Sequence, residues 1–122
     1  NTVRSISKKN IFIAGDTHNC WANNINQGDN FIGAELGTPS VTSPGASENF
    51  NGLIPYQILE NSMLMKNKNL KWTNLVDRGY LTIDFKKGVA RAEFIAVDNI
   101  LSRNYKTKVL KRIEVSPGEQ LI

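Results

Sequence analysis

Two alternating runs, Tyr80 to Phe85 and Val89 to Val97, restrict the fold of this 122-residue chain more than any other feature, because only Lys86-Lys87-Gly88 separates them. Period-two alternation puts successive side chains on opposite faces of a strand, and a short connection containing glycine reverses an antiparallel pair. The pattern predicts a β-hairpin. Leu81, Ile83 and Phe85 share a face of the first strand; in the second, Ala90, Ala92, Phe94 and Ala96 lie opposite Val89, Arg91, Glu93, Ile95 and Val97. Apolar residues on both faces predict a sheet covered partly on each side. Tyr105 to Val115 alternates again, with Thr107, Val109, Lys111, Ile113 and Val115 on one side, and predicts a last strand at a sheet edge.

Upstream, Ile11 to Ala14 and Phe31 to Leu36 predict two short strands. Asn19 to Asn30 is rich in Asn, Gly and Asp, a loop composition, and Thr38 to Asn51 predicts an irregular loop through Pro39, Pro44, Gly45 and many hydroxyl residues. Leu53 to Lys66 is the helix candidate: Pro55 suits a first turn, and Ile54, Ile58, Leu59, Met63 and Met65 partly follow a helical period. Asn67 and Asn69 are placed to end it, and the methionines read as core filler rather than ligands. The fold class is therefore α+β, mostly β-sheet with one helix, over a single domain or fragment spanning residues 1–122. At this length roughly two-thirds of the unfolded surface can be buried.

The net charge of +4 and a pI near 9.3 raise the question of a polyanionic partner. The basic residues are dispersed (Lys8 and Lys9, Lys66 to Lys71, Lys86 and Lys87, Arg103 to Arg112), with no nucleic-acid motif or aromatic platform among them. That argues against nucleic acid as a partner and for solvated charges at strand edges, able to steer anionic esters. A non-catalytic basic β-rich module that binds anionic polymers is the alternative function. One cysteine excludes an intrachain disulfide, and no run of about eighteen apolar residues provides a spanning helix.

The chemistry concentrates where the first strand ends, at Gly15-Asp16-Thr17-His18, which contains the single histidine. If extended backbone continues through Thr17, Asp16 and His18 leave on the same face, and a carboxylate and an imidazole can hold one ion or two neighbouring ions. Gly15 permits a sharp bend or a close approach. The same residues also suit a strand ending in a turn, with Asp16 as a local cap and His18 solvated. Two protein ligands rarely hold an ion against water, so this is half of a site. Asn19 is a candidate second-layer residue orienting His18. Trp21 and Cys20 read as packing residues, Ser40, Thr42 and Ser43 as a structured turn, and Asp77 and Arg78 as a local ion pair.

Gly15-Asp16-Thr17-His18-Asn19-Cys20-Trp21-Ala22 is followed by Glu35-Leu36-Gly37-Thr38-Pro39-Ser40-Val41-Thr42-Ser43-Pro44-Gly45, then by Lys71-Trp72-Thr73-Asn74-Leu75-Val76-Asp77-Arg78-Gly79-Tyr80, then by Arg91-Ala92-Glu93-Phe94 and Val97-Asp98. In order and spacing, residues 10 to 105 resemble the C-terminal part of the PhoD-like alkaline phosphatases, a branch of the metallophosphoesterases. The resemblance implies the C-terminal half of a four-layer α/β/β/α sandwich, and it implies that Asp16 and His18 are metal ligands. Asp16 would stand where the wider superfamily has the first histidine of Gly-His-x-His. The implied metals are iron and calcium, although Asp-x-His chemistry also accepts zinc or manganese. The implied substrate is a phosphate ester, monoester or diester, and the implied location is periplasmic or extracellular after export across the bacterial inner membrane. The family's upstream ligand motifs are absent, so the expected partner is an N-terminal part of the same enzyme. No general acid is identified in this portion. The chain alone is expected to bind metal weakly, to hydrolyse nothing at a useful rate, and to self-associate through the face left without its partner.

Overall fold

The computed structural model describes residues 10–49 and 53–122, without the side chains of residues 47 and 49. Lys8, Lys9 and the Asn51 end of the expected loop lie outside the described residues. Strands β1 (Asn10–Ala14), β2 (Cys20–Gln27), β3 (Asn30–Gly37) and β4 (Leu70–Asn74) form one sheet in the order β1-β3-β2-β4. Strands β5 (Gly79–Lys86), β6 (Val89–Val97) and β7 (Thr107–Val115) form a second, in the order β5-β6-β7. A one-turn helix α1 (Ala46–Asn49) and a longer α2 (Tyr56–Lys66) complete the described elements. The predicted α+β class, mostly β with one substantial helix, is the observed one.

The predicted hairpin pairs Tyr80 with Ile95, Leu81 with Phe94 and Phe85 with Ala90. Its turn has positive φ at Lys87 (47°) and Gly88 (83°), the conformation that matches the twist of the flanking strands. The inward face of β6 meets the first sheet: Ala90, Ala92 and Phe94 join Cys20, Ala22, Ala34, Leu36, Val115 and Leu121 in one buried cluster. Alanines on both sheets leave room for Phe94, whose ring centroid lies 4.7 Å from that of Trp72.

The expected partial cover on both faces is seen in β6, whose outer residues Val89, Glu93, Ile95 and Val97 are half-buried while Ala90, Ala92, Phe94 and Ala96 are buried. Arg91 pairs with Glu114, Arg112 with Glu93 and Lys86 with Asp84 along the outer side. The final strand is at an edge as expected, but its alternation breaks: Phe94 stands opposite Lys111 and Ile95 opposite Val109, so Leu110 is an extra, bulged residue that packs on the core. Val109 therefore does not share the face of Ile113 and Val115.

Two further expectations are corrected. The stretch expected as a loop from Asn19 to Asn30 is mostly β2, with Cys20, Ala22 and Asn24 buried on one side. Its asparagines are held by side-chain bonds, Asn23 to Glu35, Asn24 to Leu121 and Asn26 to Asn69, and the reversal is confined to Gly28-Asp29, with Gly28 at φ 60°. The helix exists from Tyr56 onward, after Pro55, and ends where Asn67 donates to the Met63 carbonyl. It lies beside β4 but buries none of its residues, and Met63 and Met65 are exposed (44% and 83%) rather than core filler. Ile54 precedes the helix, and Ile58, Met63 and Met65 do not form one apolar stripe along it.

Candidate metal site

β1 and β3 run parallel and end together, Ala14 opposite Gly37, so the segments that follow them emerge side by side. Thr38 donates to the Ala14 carbonyl at 2.9 Å and joins the two at their base. The β4–β5 connection arrives at the same place, where Gly79 donates to the Ser40 carbonyl at 3.0 Å. Three motifs separated by up to sixty residues of sequence thus become one cluster of loops. Gly45 sits closely surrounded at its centre, since a Cβ would lie 3.2 to 3.3 Å from the Leu75 carbonyl oxygen, Asn19 Oδ1 and the His18 carbonyl oxygen, and these would have to give by a few tenths of an ångström.

The backbone at Asp16 and His18 is not extended. Asp16 has φ 75° and His18 φ 60°, and Thr17 donates to the Gly15 carbonyl at 3.0 Å in a tight turn. The period-two argument for a common face therefore fails, because the strand stops at Ala14. Asp and His are among the residues that tolerate the left-handed region, at an energetic cost of order 1–3 kcal/mol each, and such strain concentrates at functional sites.

His18 is half-buried, and its Nδ1 lies 3.1 Å from the Pro44 carbonyl oxygen. A carbonyl only accepts, so Nδ1 carries the hydrogen and Nε2 of the neutral ring keeps its lone pair. A metal-ligating histidine is commonly prepared in this way. Asp16 is exposed, and no hydrogen bond or ion pair in the described structure engages its carboxylate. One hard oxygen donor and one imidazole nitrogen suit iron, zinc or manganese, and the carboxylate suits calcium. Among the described residues no three His, Cys, Asp or Glu side chains gather as a complete site. A carboxylate and an imidazole are donor types that such ions accept, and a complete site needs others.

Asn19 donates from Nδ2 to the Thr17 carbonyl at 2.7 Å and accepts the Ala46 amide on Oδ1 at 2.9 Å. It braces the backbone on either side of His18 and the start of α1, and these bonds do not go to the imidazole. Ser40 Oγ accepts the amides of Ser43 at 2.8 Å and Thr42 at 3.3 Å, the structured turn expected there. Trp21 covers Gly37, where any Cβ would overlap its ring. Cys20 is fully buried, and its thiol is pushed up to about 12 by burial first and by the Asp77 and Glu60 carboxylates next. A thiol held neutral in this way is not a nucleophile at ordinary pH.

The expected Asp77–Arg78 pair is not formed. Asp77 accepts from Asn74 Nδ2, while Arg78 reaches back to Glu48 at 2.7 and 2.8 Å and to the Ser43 carbonyl at 3.2 Å. Local spacing hides this contact, as it hides the role of the Pro44 carbonyl, because both partners come from a loop about thirty residues away.

The family model for the PhoD-like phosphatases matches residues 1–94. A solved structure titled "Structure of PhoD" superposes with a TM-score of 0.70 at 18% identity, covering 92% of this chain and 21% of that one. The chain thus spans about a fifth of the length of the structure it matches. No curated protein matches the sequence.

Proposed function

This chain belongs to the PhoD-like phosphatase family, and we propose that it contributes Asp16 and His18 to the metal centre of a larger phosphoric ester hydrolase whose other ligands lie in the rest of the enzyme. The observation that carries the proposal is the His18 Nδ1 bond to Pro44, which favours the ring form able to ligate through Nε2, two residues after the exposed Asp16. A bound ion would supply charge neutralisation at the phosphoryl oxygens and a water acidic enough to attack. The chain's own part is to orient His18 Nε2 and to offer the Asp16 carboxylate. Asn19 stiffens the turn between them, and the general acid is assigned to the remainder of the enzyme. Iron and calcium are the metals we favour, and the substrate is a phosphate monoester or diester. Membership of the family favours a periplasmic or extracellular location.

The test is hydrolysis of a chromogenic phosphate ester by an enzyme assembled from this chain and the upstream part of its coding sequence. Asp16→Ala and His18→Ala are each expected to lower kcat/KM by at least about 100-fold, the usual loss for a metal-site ligand or its close support. The chain alone is expected to be inactive. Unchanged turnover in both variants, combined with salt-dependent binding of an anionic polymer, would favour the basic-module alternative instead.

A further inference from the structure

We infer that Arg78 is the positioning residue for the His18 imidazole, acting through the Ser43-Pro44-Gly45 turn; the inference rests on reading His18 as a metal ligand. Pro44 has no N–H, so the turn that presents its carbonyl to His18 cannot be pinned by an amide at that position. Arg78 supplies the missing donor from outside. Its Nε donates to the Ser43 carbonyl, one peptide before the Pro44 carbonyl, at 3.2 Å, and its Nη2 donates to both carboxylate oxygens of Glu48 at 2.8 and 2.7 Å. One planar group therefore ties the front of the turn to the helix α1 that follows it, and the Pro44 carbonyl is held between these two anchors, 3.1 Å from Nδ1 of His18.

The geometry demands arginine. A lysine ammonium is a point donor and cannot span an accepting carbonyl and a carboxylate in one fixed fork. Other bonds fix the base of the turn: the amides of residues 42 and 43 donate to Ser40 Oγ, and the Gly79 amide donates to the Ser40 carbonyl. Arg78 acts on the Ser43 carbonyl, before Pro44, while Asn19 Oδ1 and the Gly45 carbonyl accept the Ala46 and Glu48 amides after it. The Arg78 side chain is 25% exposed and that of Glu48 46%.

The single histidine makes the test direct. Long-range ¹H–¹⁵N correlation spectra of the ¹⁵N-histidine-labelled 122-residue chain, at about pH 8.5 where imidazole is neutral, report the ratio of the two ring tautomers without any metal. The wild type is expected to hold the Nδ1–H form predominantly. Arg78→Met is expected to lower the Nδ1–H to Nε2–H ratio by roughly fivefold, the change that one net hydrogen bond supports, and Arg78→Lys is expected not to restore it. Glu48→Gln removes the ionised acceptor at a half-exposed position that leaves the fold intact, and is expected to shift the ratio in the same direction by roughly twofold. A folded Arg78→Met with the wild-type ratio overturns the inference; if that variant does not fold, an unchanged ratio in Glu48→Gln overturns it. Zinc titration of the assembled enzyme carrying His18→Ala judges the ligand reading separately, because the tautomer ratio does not depend on it.

Discussion

Asn24 and Leu121, ninety-seven residues apart, exchange two hydrogen bonds: Asn24 Nδ2 donates to the Leu121 carbonyl at 3.1 Å and the Leu121 amide donates to Asn24 Oδ1 at 2.8 Å. The pair is buried, with Asn24 only 2% exposed, and it brings the segment after β7 back onto β2, so that Leu121 enters the core between the two sheets. Asn24→Ala strands a buried amide and a buried carbonyl and opens a small gap. It is expected to cost about 2–4 kcal/mol, measured as a lower urea midpoint at unchanged slope. A change under about 0.5 kcal/mol, the ordinary surface value, would show that the segment after β7 is not bound this way.

The left-handed backbone at Asp16 sets stability against function. Glycine adopts that conformation without steric penalty, so Asp16→Gly is expected to raise stability by about 0.5–1 kcal/mol while removing the carboxylate from the site. Thermal unfolding of the two proteins side by side checks it, and a destabilised glycine variant would mean that the Asp16 side chain stabilises the fold itself.

Much of the fold was legible in the sequence, and the reason differs from element to element. The β5–β6 hairpin follows from alternation and a glycine-bearing turn, both local properties. β2 was hidden because asparagine signals turns, and here Asn23, Asn24 and Asn26 instead spend their amides on Glu35, Leu121 and Asn69, partners that only the folded chain brings near. Asp16 and His18 stood out as chemistry in the sequence, yet extended backbone was the wrong basis for joining them, because the strand ends at Ala14. The Arg78–Glu48 contact was out of reach for the same reason as β2. Adjacent Asp77 offered a nearer carboxylate, and the decision belongs to the meeting of two loops.

Burial gives Cys20 a pH signature. Its thiol is raised from 9.0 to about 12 in the folded chain, so the folded form retains a proton that the unfolded form releases. The stability associated with the neutral thiol is fully present below about pH 9 and is lost as pH rises towards about 12, at up to about 1.4 kcal/mol per pH unit. Cys20→Ala is expected to flatten that slope in urea titrations across the alkaline range. Native Cys20 is also expected to resist a thiol reagent at pH 8 and to react fully in denaturant; rapid labelling of the native chain would contradict the buried placement.

Exposed apolar side chains lie along α2 and its approach: Leu53 is 84% exposed and Ile58 59%. Beside the exposed methionines of α2, they make a surface that a lone chain is expected to cover by self-association. Light scattering should show a mass above 13.6 kDa that rises with concentration, and Ile58→Glu with Met65→Lys should lower it towards the monomer. A wild-type chain that stays monomeric at high concentration contradicts this expectation.

The central claim, that Asp16 and His18 are two ligands of a metal centre completed by the rest of the enzyme, is tested most directly by counting bound metal. Elemental analysis and competitive chelator titration of the assembled enzyme, wild type against the Asp16→Ala and His18→Ala variants, measure both stoichiometry and affinity. The account predicts the loss of bound metal, or an affinity weakened by at least about 100-fold, in each variant with the fold retained. Full metal content at wild-type affinity in both would contradict it.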